Sequence, residues 1–240
     1  MKQPSGLLAL IFAFVALAVV AAQPRPAQVQ PAGPIDYERF DTHFQKYTDR
    51  YFGKDVDWRF FKAQAIVESN MRPTVVSNAG ARGIMQLTPP TFADIKKRNK
   101  EFGDILEPEW NIAAGIYYAH QQWMYWENEA DKKFRRQFML GSYNAGRGTL
   151  VRAQKMAAIE KLNERRWPTI EKIAPRVPNW RYKETLAYVT SVFANMSSID
   201  KKGKVKGLVI WKDEKGLIAL SDKLKQVLGV FKKLKFWDDD

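Results

Sequence analysis

WRFFKAQAIVES, residues 58–69, carries an apolar face through nearly its whole length and then one acid, Glu68, next to its end. Asp57 is suited to cap its first turn, and Asn70 and Pro73 stop it, so the stretch reads as a helix with Glu68 in its last turn. One and two turns back from Glu68 stand Gln64/Ala65 and Phe61, an almost uncharged surface. A carboxyl group on such a surface is poorly solvated, which raises its pKa towards the working pH and suits it to deliver a proton. The same spacing equally allows a last-turn glutamate that points at water.

The next segment, SNAGARGIMQLTP (77–89), sets Gly80 and Gly83 three apart and follows them with Ile84-Met85-Gln86. Glycines permit tight curvature and close approach of a ligand to main-chain groups. Gln86 can donate and accept at once, as sugar hydroxyls and acetamides require. An ordinary glycine turn before a short strand at Ile84–Leu87 fits the same letters. Farther on, GSYNAGRG (141–148) ends a helix with an aromatic ring, an amide and two glycines. Tyr143 against a pyranose face and Asn144 on its polar groups would make a sugar subsite. A helix C-cap with Tyr143 in the core would look the same.

Helical periodicity dominates around these segments. Tyr37, Phe40, Phe44, Tyr47 and Tyr51 share one face, and Thr88-Pro89-Pro90 opens a short helix. Ile112, Ile116, Ala119, Trp123 and Trp126 form the stripe of a long one. Phe134 and Phe138 lead another into Tyr143, and 150–162 and 182–196 complete the set. The body of about 36–198 is therefore mainly α.

The chain ends differ in kind. Leu7–Ala22 is an uninterrupted apolar run. As a helix it reaches roughly 24 Å, short of the ~30 Å hydrocarbon layer. Residues 1–22 read as a cleaved signal peptide or an uncleaved anchor, which places the rest in the periplasm or cell envelope. Residues 23–35 are a proline-rich linker. Residues 199–240 form a basic extension in which eleven lysines oppose six acids from Lys201 on. Within it, Val205–Trp211 and Leu217–Leu220 are candidate paired strands, and 224–234 a lysine-faced amphipathic helix.

Composition narrows the chemistry. The chain of 240 residues contains no cysteine and two histidines, so disulfides, thiolate metal sites, a cysteine nucleophile and a multi-histidine metal site are not expected. No cofactor is expected either. Lys and Arg number 39 against 26 Asp and Glu, a formal net charge of +13. That balance favours a polyanionic partner, and export argues against nucleic acid.

Five segments taken in order carry a family resemblance. Glu68-Ser69 comes first, then Ser77 to Pro89, Asn111-Ile112 with Gly115 and Tyr117-Tyr118, Tyr143-Asn144-Ala145-Gly146, and Glu184-Thr185-Leu186-Ala187-Tyr188-Val189. Over about 58–195 the chain resembles the soluble-lytic-transglycosylase catalytic domain, glycoside-hydrolase family 23, most like the membrane-bound type. It departs at Ile84, where the family usually has leucine, and at Ser142-Tyr143-Asn144, where Ala-Tyr-Asn is usual.

The resemblance implies a lysozyme-like, mainly α (α+β) domain with a small β-hairpin element. It also implies a peptidoglycan substrate, cut between N-acetylmuramic acid and N-acetylglucosamine to give 1,6-anhydromuramyl ends, with one glutamate acting as acid and then base. Carried over, Glu68 is the acid/base and Tyr188 positions it, while Ser77, Met85, Gln86, Tyr143 and Asn144 line the sugar subsites. The partner is then the glycan strand. The N-terminal segment is a candidate membrane contact, and the basic C-terminal helix, which the resemblance does not cover, either lies on an anionic membrane surface or packs its apolar stripe on the domain. A goose-type muramidase that lets water attack, a catalytically idle peptidoglycan-binding or secretion-scaffold protein, and a basic membrane-active protein are the competing readings.

Overall fold

In a computed structural model of the chain, residues 35–208 are described. The apolar run, the linker's first residues, the candidate strand at 217–220 and the amphipathic helix at 224–234 lie outside them. Eight α-helices are present among the described residues: α1 (Asp41–Phe52), α2 (Arg59–Ser69), α3 (Pro89–Arg98), α4 (Pro108–Tyr125), α5 (Arg135–Ala145), α6 (Arg147–Ile159), α7 (Trp167–Ile173) and α8 (Tyr182–Ser197).

Local chemistry fixes most boundaries. Asp57 accepts the Arg59 N–H at 3.0 Å and so caps α2. Asn70 ends that helix in the left-handed conformation, with its N–H on the Ile66 carbonyl at 2.8 Å. The Thr88 hydroxyl accepts the Thr91 N–H at the start of α3, and prolines occupy the first turns of α3 and α4, where no N–H is needed. No apolar stripe in the sequence singles out α7: it has seven residues and closes over α5 by laying the Trp167 ring against Gly141.

α2 lies at the centre. It packs most closely on α8, while α4 packs between α1 and α5. The core joins Phe44 and Tyr47 of α1, Phe61 and Ala65 of α2, Ile112 and Ile116 of α4, and Phe138 of α5, all essentially sealed from solvent. Side chains at helical spacing face inward on the longer helices, which is why periodicity alone locates those.

The β component is smaller than the sequence suggests. Ile84–Leu87 is not a strand. Arg82 bridges Leu87, and Val76 bridges Arg82, both antiparallel, with a tight turn between Gly83 and Gln86. The physical reason is that side chains of the helices take the backbone groups a strand would pair. Ser69 donates to the Ile84 carbonyl at 2.8 Å, Asn111 Oδ1 accepts the Met85 N–H at 2.7 Å, and the Tyr143 hydroxyl donates to the Met85 carbonyl at 2.8 Å. Val205, for its part, bridges back to Ile199.

Residues 199–206 pack on the helical body. The Lys62 side chain, fully buried, donates to Asp41 Oδ1 and to the Gly203 carbonyl, each at 2.6 Å. One buried ammonium thus ties α1, α2 and the segment after α8 together.

Candidate active site

Three helices and one turn converge on Glu68. It stands in the last turn of α2 and is half-buried. The Tyr188 hydroxyl, from the buried face of α8, donates to Glu68 Oε1 at 2.5 Å. Gln64, one turn earlier on α2, donates through Nε2 to the Tyr188 oxygen at 3.0 Å. Burial pushes the Glu68 pKa up to about 8. The Tyr188 hydrogen bond opposes that shift, and the charge of Glu184 adds to it. At neutral pH the group is therefore mostly a neutral acid with a proton to give. Burial also raises the Tyr188 and Tyr143 hydroxyls well above the ordinary phenol range, so both remain protonated donors.

The turn 83–86 forms one wall of the site. Met85 is fully buried and lies over α4 at Gly115, where a Cβ would come within 2.5 Å of the methionine Cβ. Its carbonyl holds the Tyr143 hydroxyl, so the ring of Tyr143 is fixed near Glu68, and Tyr118 of α4 packs edge-on against it at 5.1 Å. Gln86 has a positive φ of 45° and directs its amide NH₂ to the Val75 and Gly83 carbonyls at 3.1 and 2.9 Å, bracing the turn. Asn144 follows Tyr143 at the end of α5 and is half-buried.

Ser77 is placed differently. Its hydroxyl accepts the Ala81 N–H at 3.1 Å, and its own N–H donates to the Ala81 carbonyl at 2.9 Å, closing the loop before the turn. Two residues outside the expected set prove important to the geometry. Gln64 holds Tyr188, and its spacing of four from Glu68 was the available signal. Asn111, which stands in the Asn111-Ile112 segment of the resemblance with no role assigned to it, holds Arg82, Met85 and Ile105 main-chain groups at once.

Chemically, the arrangement presents one half-buried, largely neutral carboxyl that accepts a hydrogen bond from a phenol, with the Tyr143 ring close by. Residues 44–165 match the family described as Transglycosylase SLT domain. A membrane-bound lytic murein transglycosylase F of Pseudomonas fluorescens is 33% identical over 156 residues, 62% of this chain and 30% of the relative. Its counterpart in Ectopseudomonas mendocina is 30% identical over 173 residues, 67% of this chain and 34% of the relative. Among solved structures, the 70 kDa soluble lytic transglycosylase of Escherichia coli is similar with a TM-score of 0.50 at 28% identity. The match covers 65% of this chain and 23% of that one. The chain spans about a third of the length of the curated relatives it matches.

Proposed function

This chain belongs to the transglycosylase SLT domain family, and on that premise we propose that it is a peptidoglycan lytic transglycosylase with Glu68 as its single acid/base. The observation that carries the reading is the raised, Tyr188-bound carboxyl of Glu68. The relatives' names point to murein as the polymer. The Glu68 proton passes to the glycosidic oxygen between N-acetylmuramic acid and N-acetylglucosamine as the C1–O bond breaks. The 2-acetamido carbonyl stabilises the sugar cation. The carboxylate then takes the proton of the muramyl 6-hydroxyl, whose oxygen closes onto C1 to give the 1,6-anhydro ring. One group serving twice needs no second carboxylate, unlike most glycosidases. Its raised pKa follows the same physics as the lysozyme glutamate in an apolar pocket, a worked case of the general rule.

Tyr188 orients the acid, and Tyr143, Asn144, Gln86 and the Met85 turn line the sugar subsites, with Ser77 holding the adjoining loop. The net positive charge of +13 suits a polymer carrying peptide carboxylates. We place the protein in the cell envelope, exported through residues 1–22, with 23–35 as a spacer and 199–240 as a basic extension. The test is mass spectrometry of purified peptidoglycan digested by the protein, beside Glu68→Gln. Anhydromuropeptides from the wild type alone are expected. Reducing-end muropeptides would make it a muramidase, and intact glycan with both proteins would make it a binding or scaffold protein.

A further inference from the structure

The hydrogen bonds joining Gln64, Tyr188 and Glu68 have a direction, and it is set at the end farthest from the cleft. Gln64 is fully buried, and its Nε2 stands 3.0 Å from the Tyr188 hydroxyl, which in turn stands 2.5 Å from Glu68 Oε1. An amide NH₂ only donates, so the Tyr188 oxygen is the acceptor in the first bond and its single proton is left for the second. Glu68 Oε2 has no hydrogen-bond partner among the described residues and is not sealed from solvent.

We infer that Gln64 is a positioning residue: by donating to Tyr188 it fixes the tyrosine hydroxyl as a donor to Oε1 and so keeps the transferable proton of Glu68 on Oε2. This rests on the reading of Glu68 as the acid. A tyrosine hydroxyl free to turn can also accept. It would then draw the carboxyl proton onto Oε1, into the protein and away from the glycosidic oxygen. Held as a donor, it leaves Oε1 an acceptor in both states of the carboxyl, and the proton leaves and returns at Oε2. The same bond serves the acid and the base step: it strengthens when the carboxylate forms because its acceptor then carries the charge, and the Gln64 donor polarises the phenol in both states. The other groups facing Glu68 are Glu184 on α8 and Tyr143 on α5, whereas the Gln64 amide hydrogen-bonds to Tyr188.

The test is the substrate-free titration of Glu68 by carboxyl-carbon NMR in wild type and in Gln64→Met, which keeps the side-chain size and removes the donor. Freed from Gln64, the hydroxyl turns to accept from the neutral carboxyl, so the midpoint is expected to rise above its value of about 8. A rise of about half a unit or more is expected, with a roughly three- to tenfold lower kcat and an unchanged KM. In a Tyr188→Phe background the same substitution should change neither quantity. An unchanged midpoint would overturn the inference. So would a lowered one, which is the result of an amide turned oxygen-first or of packing loosened enough to admit water. In the unmodified protein, the Tyr188 hydroxyl proton should appear at low field with a cross-peak to the Gln64 NH₂. Its absence overturns the inference without any variant. The titration needs no substrate, so a protein that cut no peptidoglycan would sink the proposed function while the bond direction was still decided.

Discussion

Asn111 occupies the space in which a side chain at position 83 would stand: a Cβ on Gly83 would fall 2.4 Å from Asn111 Nδ2. From that place Asn111 accepts the Met85 N–H and donates to the Arg82 and Ile105 carbonyls. The first turn of α4 thus holds the cleft wall, and the wall holds Tyr143 through the Met85 carbonyl. A residue distant in sequence from Glu68 thus fixes the turn that holds Tyr143 near it.

Gly83→Ala should therefore fail twice, by collision with Asn111 and by placing a Cβ at φ 78°. A loss of about 3 kcal/mol or more is expected in urea unfolding. Gly80→Ala has the same backbone strain at φ 77° but open space around it, and should lose about 1 kcal/mol. Equal losses at the two positions would show that the Asn111 contact is not the constraint.

The rate of peptidoglycan cleavage should fall on the alkaline side, since the Glu68 proton is present only below about pH 8. Above that point kcat/KM for muropeptide release should drop about tenfold per pH unit, and Glu68→Gln should lose about three orders of magnitude below pH 8. A flat profile between pH 7 and 9 would remove Glu68 as the proton donor.

Stability should move with pH in the opposite sense to a salt-bridged acid. The Glu68 carboxyl titrates near 4.5 in the unfolded chain and near 8 in the fold, so the unfolded state loses its proton first. The contribution of Glu68 to stability is then greatest below about pH 4.5, falls as the pH rises towards 8, and levels off beyond it. Glu68→Gln lacks this loss. The difference between the two should grow by on the order of 3 kcal/mol across that window, reduced from the full shift by cleft water. Denaturant unfolding of both proteins at several pH values measures it, and parallel curves would contradict it.

Two lysines in ion pairs should behave very differently. Lys62 is sealed in the fold against Asp41 and the Gly203 carbonyl, while Lys97 pairs with Asp94 in open solvent. Lys62→Met should cost about 3 kcal/mol, because it strands an acid and a carbonyl in a dry site. Lys97→Met should change stability by less than about 0.5 kcal/mol. Thermal and urea unfolding of the two variants settle it.

The helices were legible because each buries one face, and burial of a helix face imposes a period of 3.6 that short-range spacing reveals. α2, α4, α5 and α8 emerge that way, and the caps at Asp57, Asn70 and Thr88 mark their ends. α7 did not, because seven residues are too few to display a stripe. Ile84–Leu87 carries the residues of a strand, yet its backbone partners are Ser69, Asn111 and Tyr143, each brought in by a different helix. No pattern within the segment could report that.

The amino-acid sequence by itself determined the helical body and the order of the motifs, since those depend on residue type and spacing along one chain, while Glu68 as the acid is what the family resemblance implies and the proposed function adopts. Only the tertiary structure decided that Tyr188 donates to Glu68 Oε1, that Gln64 stands behind it, and that Asn111 fixes the Met85 turn. Hydrogen bonds between elements need matched distance and direction in space, and a separation of 120 residues, as between Glu68 and Tyr188, leaves no trace of either in the local pattern.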